Sequence, residues 1–224
     1  MKNKLILSSL VFPLLLVNGC GQKGSGTASS AIPRDAVIET KIDSVLKKMS
    51  LTEKVGQMIQ LTSSTVTTKD ADGTTVIDPD KLKKVIGEMK VGSILNTIGD
   101  KAISREMTAK YVGEIQEMSM KEIGIPCVYG LDMIHGASYL SDATLFPQEV
   151  NLAATFNREY SRVAGEVTAY ETRAAMVPWV FSPVMDLGRN PVWPRLWESF
   201  GEDPYLNAEM AAAETKALQG DDPN

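Results

Sequence analysis

From residue 32 onward the chain alternates short apolar runs with stretches of helical periodicity, and this order constrains the fold more than any other feature. Apolar runs at 91–95 (VGSIL), 125–129 (IPCVY) and 177–181 (VPWVF) read as strands. Helical patterns follow at about 104–120, at about 157–175 and after Asp203. The last has the clearest punctuation: Asp203 at the N-cap, Pro204 at the first helical position, Leu206, Met210, Ala213 and Ala217 at helical spacing, and Gly220 just past the end. Earlier, Ser50-Leu51-Thr52-Glu53 is a capping-box pattern, with a helix continuing through Val55, Met58 and Ile59. Between these elements, residues 62–80 (TSSTVTTKDADGTTVIDPD) are polar and read as a surface loop. A repeated strand-then-helix order implies a parallel α/β sheet with right-handed crossovers.

Length decides how much of such a sheet is present. A closed eight-unit barrel takes about 250 residues, whereas residues 20–224 show only three or four strand-helix units. The polar end Asp221-Asp222-Pro223-Asn224 reads like a loop on its way to a further strand. The expected fold is α/β, a partial (β/α)8 TIM-like barrel comprising its N-terminal half or so. The expected organisation is a signal peptide at 1–19, a tether at 20–34 and the barrel portion at 35–224.

The amino terminus is expected to be an address rather than part of the fold. Lys2 and Lys4 precede an apolar run at 5–17, too short for the roughly 20 residues a bilayer-crossing helix needs. Gly19 before Cys20 resembles the lipobox of bacterial lipoproteins, which implies lipidation at Cys20 and attachment to the cell envelope, periplasmic or on the outer membrane. A plain secretory signal with an incidental cysteine is the alternative, because Asn18 is unusual there. The Gly/Ser-rich stretch after Cys20 would hold the domain off the membrane.

Charge and residue counts exclude several functions. The 23 basic and 28 acidic residues give a net charge of -5 with no Lys/Arg stripe, so nucleic acid is not an expected partner. One histidine and two cysteines exclude a disulfide framework and a multi-histidine metal site, and no metal or cofactor is expected. Cys127, inside an apolar run, reads as a buried small side chain. The chemistry must rest on carboxylates, arginines and hydroxyls.

In an α/β barrel functional side chains stand where strands end. Three segments occupy such positions: GLDMIHG (130–136), SPVMDLGRNPVWPR (182–195) and ESFGEDP (198–204). A strand-end carboxylate such as Asp132 can accept bonds from two vicinal hydroxyls, while an arginine fork donates to a third, which together would suit a sugar. Each residue also has a structural alternative. Asp132 could cap a turn, His135 could be a hydrogen-bonded structural residue, Glu198 and Glu202 could be solvated acids, and Asp203 reads foremost as a helix cap. Arg189 and Arg195 could pair with neighbouring acids. Trp179, Trp193 and Trp197 could stack on sugar faces but read first as core.

Taken in order, MSLTEKVGQM (49–58), GIPCVYGLDMIHG (124–136), TLFPQEVNLAATFN (144–157) and SPVMDLGRNPVWPRLWESFGEDPYL (182–206) resemble the amino-terminal domain of glycoside hydrolase family 3. The resemblance implies a (β/α)8 barrel and retaining removal of β-linked glucose or xylose from non-reducing ends of oligosaccharides. It implies that Asp132 grips hydroxyls of the terminal sugar, that the family's arginine is Arg195 with Arg189 as second choice, and that Glu198 supports it. His135 belongs to the same motif and is kept as a candidate sugar contact. GLDMIHG points to the glucosidase-like branch. The family's Lys-His pair, its nucleophilic Asp and its general acid/base would lie beyond these segments, so no catalytic residue is assigned and the chain by itself is expected to be inactive. Two competing readings are a sugar-capturing lipoprotein and a noncatalytic relative that keeps the pocket.

Overall fold

A computed structural model describes residues 34–99 and 101–221. The expected signal peptide, Cys20 and nearly all of the tether lie outside the described residues. The chain divides into two units, residues 1–44 and 45–224. Helix α1 (Ala36–Lys48) crosses that boundary in sequence, and Asp35 Oδ1 accepts the Val37 N–H at 2.7 Å at its start.

The second unit opens with α2 (Leu51–Gln57), and the capping box is formed in full. The Glu53 amide donates to Ser50 Oγ at 3.2 Å, and the Ser50 amide donates to Glu53 Oε2 at 2.7 Å. The helix stops before Met58 because Ile59 and Leu61 are drawn toward the core beside β1 (Gln60–Thr62).

Residues 62–80 are not a plain surface loop. They contain a hairpin of β2 (Thr67–Lys69) and β3 (Thr75–Ile77), pinned by Val66 and Ile77 in the core. Two apolar side chains thus outweigh a run of threonines. Asp78 and Pro79 then start α3 (Pro79–Leu82), which widens into a π-helical stretch, Lys83–Glu88.

Strand β4 (Ser93–Leu95) pairs in parallel with β1 and with β5 (Val128–Leu131), and β5 pairs with β6 (Trp179–Val180). The sheet order β1-β4-β5-β6 is an all-parallel arc, as a portion of a (β/α)8 barrel requires. All three expected strands start later than the sequence reading placed them, at Ser93, Val128 and Trp179. Pro126 has no N–H to donate, and both backbone groups of Cys127 bond the Gln116 side chain, so pairing of β5 is delayed to Val128. Gly130 therefore lies inside the strand. Pro178 likewise shortens β6. Cys127 is buried as expected, and burial pushes its thiol up to about 11.

Helix α4 (Arg105–Glu122) is capped by Ser104, α6 (Arg158–Ala174) by Asn157, and α7 (Pro204–Gln219) by Asp203, whose Oδ1 accepts the Leu206 amide at 2.7 Å. One core joins the sheet to α3 and α4 around Ile86, Ile94, Val112, Ile115 and Tyr129. A second joins a short helix, α5 (Glu149–Ala153), to α6 and α7 around Leu152, Ala164, Phe200 and Met210. Each fully buried large side chain contributes about 1.5–3 kcal/mol, and together they fix the strand ends that carry the candidate site. No helix among the described residues is long and apolar enough to cross a membrane.

Candidate active site

Asp132 directly follows β5. The Met133 amide donates back to the Leu131 carbonyl at 3.0 Å, a tight turn that lifts Asp132 off the strand end. Gly130, two residues earlier, allows β6 to come close: a Cβ there would stand 2.5 Å from Phe181 Cζ. Phe181 donates its amide to the Leu131 carbonyl at 3.0 Å, so the two strand ends open side by side.

The segment after β6 is held at several points. The Val184 amide donates to the Glu149 carboxyl, Gly188 donates to the Gly201 carbonyl at 2.9 Å, and Asn207 donates from Nδ2 to the Asp186 carbonyl. Val184 also forms a parallel bridge with Ser199. At the far end of this loop Arg195 precedes a 3-10 turn, Leu196–Glu198. Its Nε donates to Glu198 Oε2 at 2.7 Å, and its Nη2 lies 2.5 Å from the same oxygen.

These two strand-end loops border one open hollow of about 470 Å³, lined by Asp132, Phe181, Pro183, Val184, Met185, Asp186 and Arg195. The volume lies within the usual range for small-molecule pockets, about 300–1,000 Å³. Asp132 and Arg195, 63 positions apart, thus face the same space. The Glu198 carboxylate, through its hydrogen bond, raises the Arg195 guanidinium further above its ordinary range, with Asp132 and Asp186 adding to the effect. Tyr139 stands close enough to feel Asp132, Glu198 and Arg195. Burial, followed by the two acids, moves its hydroxyl upward.

The other candidates take different places. Arg189 is exposed and does not line this hollow. His135 is half-buried, with Nδ1 3.1 Å from the Phe146 carbonyl oxygen, and it too stands outside the lining. Asp203 is the helix cap the sequence suggested. None of the tryptophans is core: Trp179 is 43% and Trp197 50% exposed, and Trp193 is half-buried. Trp179 makes an edge contact with Phe181, ring centres 4.9 Å apart.

Sequence reasoning did not single out Asp186, Tyr139 or Glu149. Asp186 sat inside the quoted 182–206 segment and Glu149 inside the quoted 144–157 segment, so both lay within readable motifs, whereas Tyr139 lay in neither. A larger hollow, about 730 Å³ between α5 and α7, contains Arg158, but that side chain is paired with Glu209 at 2.5 Å. Among the described residues no cluster of three or more His, Cys, Asp or Glu could hold a metal ion.

A parallel α/β arc with an acid and an arginine facing one hollow past its strand ends is the placement in which (β/α)-barrel folds carry functional side chains. Residues 50–222 match the glycosyl hydrolase family 3 N terminal domain, and the chain belongs to that family. It is 39% identical over 191 residues to a lysosomal beta glucosidase of Dictyostelium discoideum, covering 81% of this chain and 23% of that protein. It is 33% identical over 186 residues to a periplasmic beta-glucosidase of Salmonella typhimurium, covering 81% and 21%. The chain therefore spans less than a quarter of the length of these relatives. An exo-1,3/1,4-beta-glucanase from Pseudoalteromonas superposes with a TM-score of 0.74 at 30% identity, over 86% of this chain and 23% of its own. The beta-glucosidase from Listeria innocua, solved with glucose, gives 0.62 at 33% identity, over 82% and 24%.

Proposed function

We propose that this chain supplies the sugar-holding side of a retaining β-glucosidase-type site, acting on terminal β-glucosyl or xylosyl units of oligosaccharides. The convergence of Asp132 and Arg195 on one hollow from separate strand-end loops carries this reading. Asp132 accepts hydrogen bonds from neighbouring sugar hydroxyls, Arg195 donates to another, and Glu198 keeps the guanidinium in place. His135 ties the segment after Asp132 to Phe146, and Arg189 is on the same loop as Arg195 but outside the lining.

Retaining hydrolysis needs two carboxyl groups about 5–5.5 Å apart, one attacking the anomeric carbon and one protonating the leaving oxygen. In this reading both come from outside these 224 residues. Asp132 and Arg195 contribute orientation, through bonds that strengthen as the ring distorts. The Listeria neighbour's complex with glucose and the relatives named as beta-glucosidases support the substrate class.

Residues 1–19 are proposed to direct export, in keeping with the periplasmic beta-glucosidase of Salmonella, and Cys20 is proposed, from its lipobox-like setting alone, to carry a lipid anchor. Release of nitrophenol from an aryl β-glucoside by the full-length protein, with none by residues 1–224 alone, tests the functional part. Hydrolysis by the shorter chain contradicts it.

A further inference from the structure

Glu149 is a carboxylic acid with no exposed surface, placed on α5 behind the candidate sugar hollow. Its two oxygens lie 3.1 and 3.2 Å from the Val184 amide nitrogen and share that one N–H. Val184 is not an incidental partner. It lines the hollow with Asp132 and Arg195, and its backbone bridges to Ser199. Ser199 in turn follows Glu198, the residue that clamps the Arg195 guanidinium.

The acceptor of the Val184 amide is the Glu149 carboxyl, and an unmet buried N–H is costly. A leucine or valine on α5 would serve the core equally well but would leave that amide without an acceptor. We infer that Glu149 is a positioning residue for the sugar site: its buried carboxyl holds the Val184 backbone so that the loop from Ser182 to Arg195 presents its side chains to the same hollow as Asp132. The inference rests on the assignment of that hollow to a sugar.

The surroundings of Glu149 are consistent with a neutral acid in this role. Burial is the main cause that pushes its carboxyl up to about 9, and the charges of Glu214 on α7 and Glu198 in the 3-10 turn push in the same direction. A neutral carboxyl is matched in shape and acceptor by glutamine, whereas methionine fills the space without an acceptor and aspartate draws the acceptor back.

The test is competitive inhibition of aryl β-glucoside hydrolysis by glucose, in the full-length protein, for Glu149→Gln, Glu149→Met and Glu149→Asp. The Ki for glucose stays within about twofold of wild type in Glu149→Gln and rises about fivefold or more in the other two, roughly the factor one net hydrogen bond carries. A purely structural role lowers the folded fraction and so the apparent turnover, while leaving the Ki of the folded protein unchanged. If Glu149→Met does not fold, Glu149→Asp reads the same quantity with a polar side chain retained. Unchanged Ki in Glu149→Asp or Glu149→Met, or a rise in Glu149→Gln equal to theirs, overturns the inference alone. A wild-type protein that neither hydrolyses the glucoside nor binds glucose overturns both this inference and the sugar assignment beneath it.

Discussion

Arg195 and Glu198 are locked one 3-10 turn apart, with Nε and Nη2 of the guanidinium both directed at a single carboxylate oxygen, at 2.7 and 2.5 Å. Nε donates the hydrogen bond and Nη2 makes the close ionic contact, so the guanidinium is held from one side by one carboxylate. Glu198→Gln should loosen this clamp without removing the arginine. Arg195 is half-exposed, so solvent screens the pair and the expected loss is modest, about three- to tenfold in glucose affinity. Isothermal titration on the full-length protein measures it, and unchanged affinity would show that Arg195 holds its place unaided.

The two arginines of the same loop should behave differently. Arg195→Ala removes a charged donor from the lining and should weaken sugar binding about 10- to 100-fold. Arg189 stands outside the lining, and Arg189→Ala should change affinity less than about twofold. Equal losses in the two variants would mean that the hollow has been matched to the wrong arginine.

A pH effect on stability should come from Glu214. Its carboxyl is buried in α7, accepts the hydroxyls of Ser161 and Ser182, and is pushed up to about 7 mainly by burial. Because the folded value lies above the ordinary 4.5, the folded state holds a proton that the unfolded chain releases. The stabilisation is complete below about 4.5 and is lost as pH rises through about 7, by at most about 1.4 kcal/mol per pH unit. Glutamine keeps the acceptor and cannot ionise. Urea unfolding from pH 5 to 8 should therefore show a shallower decline for Glu214→Gln than for wild type. Parallel curves would show that Glu214 does not titrate in this window.

Gly136→Ala should destabilise the protein by about 2–4 kcal/mol. Gly136 adopts φ +93°, and a Cβ there would collide with the Thr144 carbonyl oxygen, which is backbone and has little freedom to move. Thermal unfolding reads this directly. A melting temperature within a degree of wild type would mean that the 136–144 crossing is looser than it stands.

What the sequence made legible was mostly local. The caps at Ser50 and Asp203 are readable because donor and acceptor lie within three residues of each other. The parallel order of the last three sheet strands followed from the alternation of apolar runs and helices. The hairpin within residues 62–80 stayed hidden because only Val66 and Ile77 report its burial, and the three-residue β1 lacks any run long enough to show a period. Glu149 lay inside the quoted 144–157 motif, but its role was not readable because its partner amide lies 35 residues away. Asp132 and Arg195 were named from their motifs, whereas their shared hollow depends on how Gly130 lets Phe181 approach β5.

The most direct measurement is kcat/KM of the full-length protein on an aryl β-glucoside for wild type and Asp132→Asn, with glucose Kd determined alongside. The account predicts a fall of about 100-fold or more in kcat/KM, because a neutral amide accepts sugar hydroxyls far less well than a carboxylate, with melting temperature preserved. A variant within about threefold of wild type in both quantities would reduce Asp132 to a turn residue and remove the glucosidase assignment's physical basis.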